Sequence, residues 1–374
     1  MGASQSREIL PPGPPYAGPP AEYSFIDTQV TLTGKASFVP SHQMITTNID
    51  SYYPILGDKY AEGFRLLTFY RIPFAGQQHH PFSLKMDVPY QGIFIRHPTV
   101  PRLEGWHLHV VKAVMVMKAV RHGLVSIDVD TDTLQINQAI VENTSTGGRL
   151  ICVQTTGLQK RQGFRAEMRG QGPITGVDLF FDMPSVPTTE RYVYMCVPCP
   201  VQLKAGPSLG GTGLTVKCDW LGIMKQYLSK GWRLVEVFFD DGFKHQGLSR
   251  KMDLNSIWFF EKPMSRMNDD TEVYEGVVIE HYIELRTAFC SGVRTIPKWE
   301  PVIERFGREG WELACIVETM EGAQTGCTTA ELKVFLFFQR PILRAEGRSQ
   351  GLQSCDDGSS KHPIEIQIPP PYAE

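Results

Sequence analysis

Four times in this chain an amphipathic helical stretch runs into a Gly-x-(Arg or Glu)-Leu strand start. The junctions read Gly63-Phe64-Arg65-Leu66, Gly147-Gly148-Arg149-Leu150, Gly231-Trp232-Arg233-Leu234 and Gly310-Trp311-Glu312-Leu313. Some tens of residues after each, an aromatic strand closes at proline: Ile93 to Pro98, Leu179 to Pro184, Trp258 to Pro263 and Leu336 to Pro341. A spacing of roughly 80 residues between copies identifies one supersecondary unit repeated along the chain. Residues conserved in position among the copies then have packing duties, which directs the search for function to the two ends.

The fourth copy shows the unit most plainly. Val273 to Leu285 alternates and is rich in β-branched residues, which predicts a strand. From about Lys298, Trp299, Val302, Ile303 and Phe306 fall at helical spacing on one face. Pro301 suits the first turn of that helix, and Gly310 suits its end, because glycine enters the left-handed cap without a Cβ penalty. Trp311 to Thr319 and Glu331 to Arg340 follow as strands, giving β-α-β-β. The third copy offers strand Tyr192 to Leu203, then Asp219 as N-cap of a helix with Trp220, Ile223, Met224, Tyr227 and Leu228 inward. The first carries Tyr52, Ile55 and Leu56; the second carries Ile136, Ala139 and Ile140. Counted back from the junction glycine, Tyr52, Ile136, Trp220 and Trp299 share one position, and Leu56, Ile140, Met224 and Ile303 another.

The fold class expected is therefore α+β: four βαββ repeats forming antiparallel sheets covered by helices. Each sheet needs a partner over its second face, so the repeats are expected to pair into two domains, 25–186 and 190–342. Residues 1–24 and 343–374 are rich in proline and polar residues and are expected to be disordered tails.

Bulk properties narrow the class further. An apolar fraction of 42% with 21% charge suits a globular core, and a net charge of −3 argues against direct nucleic-acid binding. Val110 to Val120 is too short to span a bilayer, is broken by Lys112 and Lys118, and reads as a buried strand. Among the eight cysteines, Cys196-Val-Pro-Cys199 has the only CxxC spacing, without a second pair for zinc and without a helix to start, so it reads as structural. The glycine-rich run from Gly206 to Gly213 lacks the Gly-Lys-Ser/Thr of a phosphate-binding loop and reads as a connector. His79-His80 and His107/His109 lack ligand partners in sequence, and Asp128-Val-Asp130-Thr-Asp132 lacks the glycine and glutamate of a calcium loop, so it reads as a solvated turn. Trp220, Trp232, Trp258, Trp299 and Trp311 recur in repeat positions and are expected in the core. No enzyme activity, metal or cofactor is expected.

At these residues the chain resembles the raftlin family. The likeness lies in Asp219-Trp220-Leu221 through Gly231, Asn255 to Phe260, Val277 to Glu280, and Gly310 through Pro341, with a weaker echo in Tyr60 to Phe64 and Gly92 to Ile95. The resemblance implies a non-enzymatic, lipid-anchored cytosolic protein of the plasma membrane and endosomes, connected with lipid rafts, receptor signalling and uptake. Raftlins pair a myristoylated glycine with a neighbouring palmitoylated cysteine; here the start reads Met1-Gly2-Ala3-Ser4-Gln5-Ser6, without that cysteine.

The two ends carry the functional signals. Gly2 with Ser6 fits N-myristoylation, and one such chain gives reversible membrane binding only. Pro369-Pro370-Pro371-Tyr372 is a PPxY sequence, pre-set as polyproline II for a WW-domain groove, in which Pro369, Pro370 and Tyr372 make the contacts. The expectation is a peripheral membrane adaptor in trafficking, endocytosis or receptor signalling. It would lie on the cytoplasmic face of the plasma membrane or endosomes, with a cytosolic pool, and recruit WW-domain proteins such as HECT ubiquitin ligases. The alternative is a lipid- or small-ligand-binding module with a pocket between paired sheets.

Overall fold

The computed structural model describes residues 11, 16, 18, 20–35, 44–73, 85–97, 105–122, 126–161, 170–206, 213–245, 251–288, 292–325 and 328–342. Four successive segments show one order of elements: a long strand, a short strand, a helix and two more long strands. The first is β1 (Glu22–Lys35), β2 (Met44–Thr47), α1 (Tyr53–Ala61), β3 (Arg65–Arg71) and β4 (Lys85–Arg96). The second is β5 (Trp106–His122), β6 (Ser126–Asp132), α2 (Leu134–Ser145), β7 (Arg149–Lys160) and β8 (Gln171–Pro184). In the third the long strand is split into β9 (Tyr192–Pro198) and β10 (Val201–Ala205), followed by β11 (Leu214–Lys217), α3 (Trp220–Leu228), β12 (Arg233–His245) and β13 (Lys251–Pro263). The fourth is β14 (Tyr274–Ala288), β15 (Gly292–Ile296), α4 (Glu300–Arg308), β16 (Glu312–Gln324) and β17 (Thr329–Pro341).

Local chemistry sets these boundaries. Asp219 caps α3 by accepting from Gly222 N at 3.1 Å, and Pro54 and Pro301 occupy first turns. The junction glycines Gly63, Gly147, Gly231 and Gly310 have φ of 82°, 100°, 77° and 74°, a region that makes glycine the favoured residue there. Helix positions Leu56, Ile140, Met224 and Ile303 are all buried, as are the five tryptophans read as core. Ile55 departs from expectation: it is half exposed, because α1 turns Leu56 inward instead. The short strands β2, β6, β11 and β15 extend the expected β-α-β-β order. They carry few apolar residues, and their pairing comes from the long strand beside them. Asp128, Asp130 and Asp132 thus lie in strand β6 rather than a turn. Asp132 Oδ1 accepts from Leu134 N at 3.1 Å at the start of α2, and Asp128 accepts from His245 N at 3.1 Å.

Within each segment the strands are antiparallel in the order short, long, last, third, as in β15-β14-β17-β16. The first three segments join edge to edge into one 13-stranded sheet, through Phe243↔Val129 and through Met44↔Lys160 with Ile45↔Gln159. The four-stranded sheet of the last segment meets both ends of the larger one through side chains. Val216 N in β11 donates to Glu321 Oε1 in β16 at 2.5 Å, and Thr295 Oγ1 in β15 donates to the Pro73 carbonyl just past β3 at 2.8 Å. The circuit of four is closed.

Its cores explain the closure. The helix of each segment packs between the sheet of its own segment and the sheet of the next. Leu56 joins Phe69 and Phe94 of the first sheet to Cys152 and Phe180 of the second. Ile136 and Ile140 join Phe181 to Phe259 of the third. Met224 and Trp220 join Trp258 to Phe337 of the fourth. Ile303 and Phe306 join Trp311 to Ile93 and Ile95 of the first. No core stops at the expected boundary near residue 190, and the described body clusters as one unit within Met1–Ile342. A full-length protein built this way should melt in a single two-state transition, while a fragment covering residues 1–186 should not fold alone, because it strips one side from two cores. Calorimetry on both checks this; two independent transitions in the full chain would contradict shared cores.

Candidate functional site

The four inner strands β3, β7, β12 and β16 begin beside one another, and their first residues are Arg65, Arg149, Arg233 and Glu312. Cross-strand from Arg149 and Arg233 stand Asp182 and Glu261. The charges pair mostly between segments. Arg149 contacts Glu261, and Arg233 reaches Glu261 at 2.8 Å and also meets Glu312. Arg65 lies 3.6 Å from Asp182 and 3.5 Å from Glu312, and His97 Nε2 lies 4.0 Å from Glu312. Three guanidiniums balance three carboxylates. Burial opposes ionisation of Glu261, but Arg149 and Arg233 outweigh it and hold its carboxyl at about 2. At Glu312, burial is likewise outweighed by Arg233, His97 and Arg65, which hold it well below the usual carboxylate range. Asp182 goes the other way: burial raises it, against Arg65 and the Tyr60 hydroxyl that donates to it. Such a network is chemically committed, with its charges neutralised by one another, and its geometry holds adjacent segments in one alignment.

Backbone donors at the same level are also satisfied across segments. Each inner strand has a bulge directly after its first leucine, seen as register shifts at Leu66/Thr68, Leu150/Cys152, Leu234/Glu236 and Leu313/Cys315. The amides of those leucines find side chains instead of the ladder. Leu150 N donates to Tyr194 Oη at 2.8 Å, Leu234 N to Gln339 Oε1 at 3.0 Å, and Leu313 N to Tyr23 Oη at 2.9 Å, each in the following segment. Leu66 N uses Tyr60 of its own segment at 3.4 Å, since the second segment has Leu108 where the others place Tyr23 and Tyr194.

Four residues occupy the position after the bulge: Thr68, Cys152, Glu236 and Cys315, all buried. Burial drives the Glu236 carboxyl well above its ordinary value, against hydrogen bonds from the Val237 and Val153 amides and the Gln154 side chain. Burial also pushes the thiols of Cys152 and Cys315 up, which makes them poor nucleophiles.

Beside the charge network opens a cleft of about 470 Å³, lined by Tyr60, Phe64, Arg65, Trp106, His107 and Asp182. Arg65 and Asp182 belong to both. The cleft brings His107 together with groups that sequence spacing did not connect to it; His109, exposed on the same strand, is not among its lining residues.

The other residues singled out in the sequence are distributed as follows. Gly2, the Pro369, Pro370 and Tyr372 of the PPxY sequence, and His79-His80 lie outside the described residues. Cys196 is exposed in β9, and Cys199 falls in the break before β10. Among the described residues, no group of three or more His, Cys, Asp or Glu is arranged to hold a metal ion, and no helix is long and apolar enough to cross a membrane.

Two carboxyl substitutions separate the roles of these groups. Glu261→Gln leaves Arg149 and Arg233 buried against a neutral amide and should cost about 3–5 kcal/mol at pH 7. A depressed folded-state pKa contributes stability above the unfolded value, so this difference should shrink as pH falls from 4.5 through about 2. Glu236→Gln has the opposite sign. A raised folded-state pKa loses stability as pH rises above the unfolded value of 4.5. The variant should therefore gain on the parent by about 1.4 kcal/mol per pH unit until the folded-state pKa is reached. Urea denaturation between pH 2 and 8 checks both, and parallel pH profiles for the two variants would refute the assignment.

In sequence comparison the chain is similar to human raftlin, with 23% identity over 171 residues, covering 46% of this chain and 28% of raftlin. The match therefore spans well under half of that relative's length. No family model matches the chain, and no solved structure matches it. The finding supports a raftlin-like relationship.

Proposed function

We propose that this chain is a non-enzymatic peripheral membrane adaptor, N-myristoylated at Gly2, that recruits WW-domain proteins through Pro369, Pro370 and Tyr372. The observation that carries this reading is the similarity to raftlin, taken together with the Gly2–Ser6 start. The four segments are read as copies of one unit, closed into a body that serves as the scaffold between two contact-making ends. The N-terminal side is tethered consistently with that role. Ala21 N donates to Gly307 O at 2.9 Å, Tyr16 N donates to Glu309 Oε2 at 3.2 Å, and the Tyr16 ring lies 5.7 Å from the Arg340 guanidinium. Tyr16 and Ala21 thus lie beside the end of α4. A single myristoyl group binds bilayers marginally, so attachment is reversible and is strengthened by partners. HECT-type ubiquitin ligases are the WW proteins this motif class suits, and the cytoplasmic face of the plasma membrane or endosomes is the place.

A second reading, a small-ligand-binding module, is favoured by the 470 Å³ cleft between α1 and the start of β5, where Trp106, Phe64 and Arg65 converge.

Cell fractionation and WW-domain capture test the adaptor reading together. Gly2→Ala should abolish myristate incorporation and shift the protein from membrane to soluble fractions. Tyr372→Ala should leave fractionation unchanged while WW capture falls by roughly tenfold or more. An unaltered membrane fraction in the first variant, or equal capture in the second, refutes the corresponding half.

A further inference from the structure

Two junctions of the circuit carry the same trio of positions with different chemistry. Between the second and third segments, Arg149 of β7 contacts Glu261 of β13, and its guanidinium lies 4.3 Å from the centre of the Tyr192 ring. Between the first and second, the corresponding residues are Arg65 of β3, Asp182 of β8 and Trp106 of β5, because Trp106 faces Pro184 as Tyr192 faces Pro263. Aspartate is one methylene shorter than glutamate, and Arg65 Nε stands 3.6 Å from Asp182 Oδ2. The other ion pair of Arg65, to Glu312 Oε2, is 3.5 Å long. Among the described residues, the Arg65 guanidinium makes no hydrogen bond and has no ring over it.

The space beside Arg65 is the cleft of about 470 Å³, with Phe64 and Trp106 as apolar walls and His107 on the exposed rim. Gly57 of α1 also lines it, and a Cβ added there would meet nothing within 4 Å. We propose that this cleft binds a small aromatic carboxylate, with the carboxylate in the fork of Arg65 and the ring against Trp106. The proposal rests on the small-ligand reading of the cleft and gives that reading a ligand class. A guanidinium presents five N–H donors in a rigid fork that matches a carboxylate, and its planar face accepts a ring. At Arg149 the chain itself supplies both partners, Glu261 and Tyr192; at Arg65 the ligand supplies the carboxylate.

The surroundings favour an anion over a cation. Arg96 and Lys59 already stand over the Phe64 ring at 4.4 and 5.4 Å, so a ligand cation beside Arg65 would meet like charges. Of the carboxylates in the neighbouring network, Asp182 is the one that burial raises, and it accepts from the Tyr60 hydroxyl, so it opposes an incoming anion least. A neutral ring would keep the Trp106 contact and lose the guanidinium. An aliphatic carboxylate would keep the guanidinium and lose the ring contact.

Isothermal titration calorimetry on the full-length protein tests this with naphthoate, naphthylmethanol and cyclohexanecarboxylate. Naphthoate should bind one-to-one, and each of the other two should bind about tenfold more weakly. Gly57→Leu puts a side chain into the cleft without displacing a neighbour and favours the helix, so it should abolish naphthoate binding. Arg65→Lys keeps the charge without the fork; it should weaken naphthoate by about tenfold and leave naphthylmethanol unchanged. Naphthylmethanol binding as tightly as naphthoate would overturn the carboxylate assignment while leaving the small-ligand reading in place. Cyclohexanecarboxylate binding as tightly would overturn the aromatic one. Absence of saturable binding by every probe at millimolar concentration would overturn both the proposal and the reading beneath it. Undiminished naphthoate binding by folded Gly57→Leu would overturn the location. Since the three probes are compared on the unmodified protein, a variant that fails to fold leaves the test intact.

Discussion

At the start of every inner strand neighbouring side chains enter different cores, because successive residues of a strand point to opposite faces and both faces are covered. Leu66 packs into the core between the first and second sheets, whereas Leu67 enters the one between the fourth and first. Leu150 and Ile151 divide in the same manner, as do Leu234 with Val235 and Leu313 with Ala314. An inner strand is therefore buried on both faces and reads as a nearly continuous apolar run. Removing any one segment would leave two apolar surfaces facing water. That is why the body closes on itself instead of dividing into separate pairs.

The bulge has a cost in backbone donors, and the next segment offsets it. Tyr194, Gln339 and Tyr23 reach across to amides that the ladder no longer satisfies. Beside them the ion pairs of Arg65, Arg149 and Arg233 add geometry more than net stability, because burying a charge costs about as much as pairing it returns. Their value lies in discrimination. A segment that slipped along its neighbour would strand a guanidinium such as Arg149 away from Glu261. At Glu236 burial raises the carboxyl instead of lowering it.

Much of this was legible in the chain. The junction glycines, the buried helix positions from Leu56 to Ile303 and the core tryptophans follow from helical periodicity and from the conformational demand at a helix end. Short strands β2, β6, β11 and β15 were not legible, since a four- to seven-residue strand with polar alternation looks like a turn until its partner is known. Ile55 faces solvent because α1 turns its neighbour Leu56 into the core, a choice the adjacent pair of apolar residues does not reveal. The axial charges were visible individually as the Arg or Glu of each junction. That they meet was not, because their partners lie on strands far away in sequence.

The sequence alone determined the unit, its helix ends and which residues must leave water, all consequences of local conformational preference and apolar periodicity. It also determined the two terminal motifs, whose chemistry is read from a few adjacent residues. Tertiary structure decided how the units share their cores and which carboxylate neutralises which arginine. Those outcomes depend on contacts across large sequence separations, where no short-range pattern records which surfaces come together.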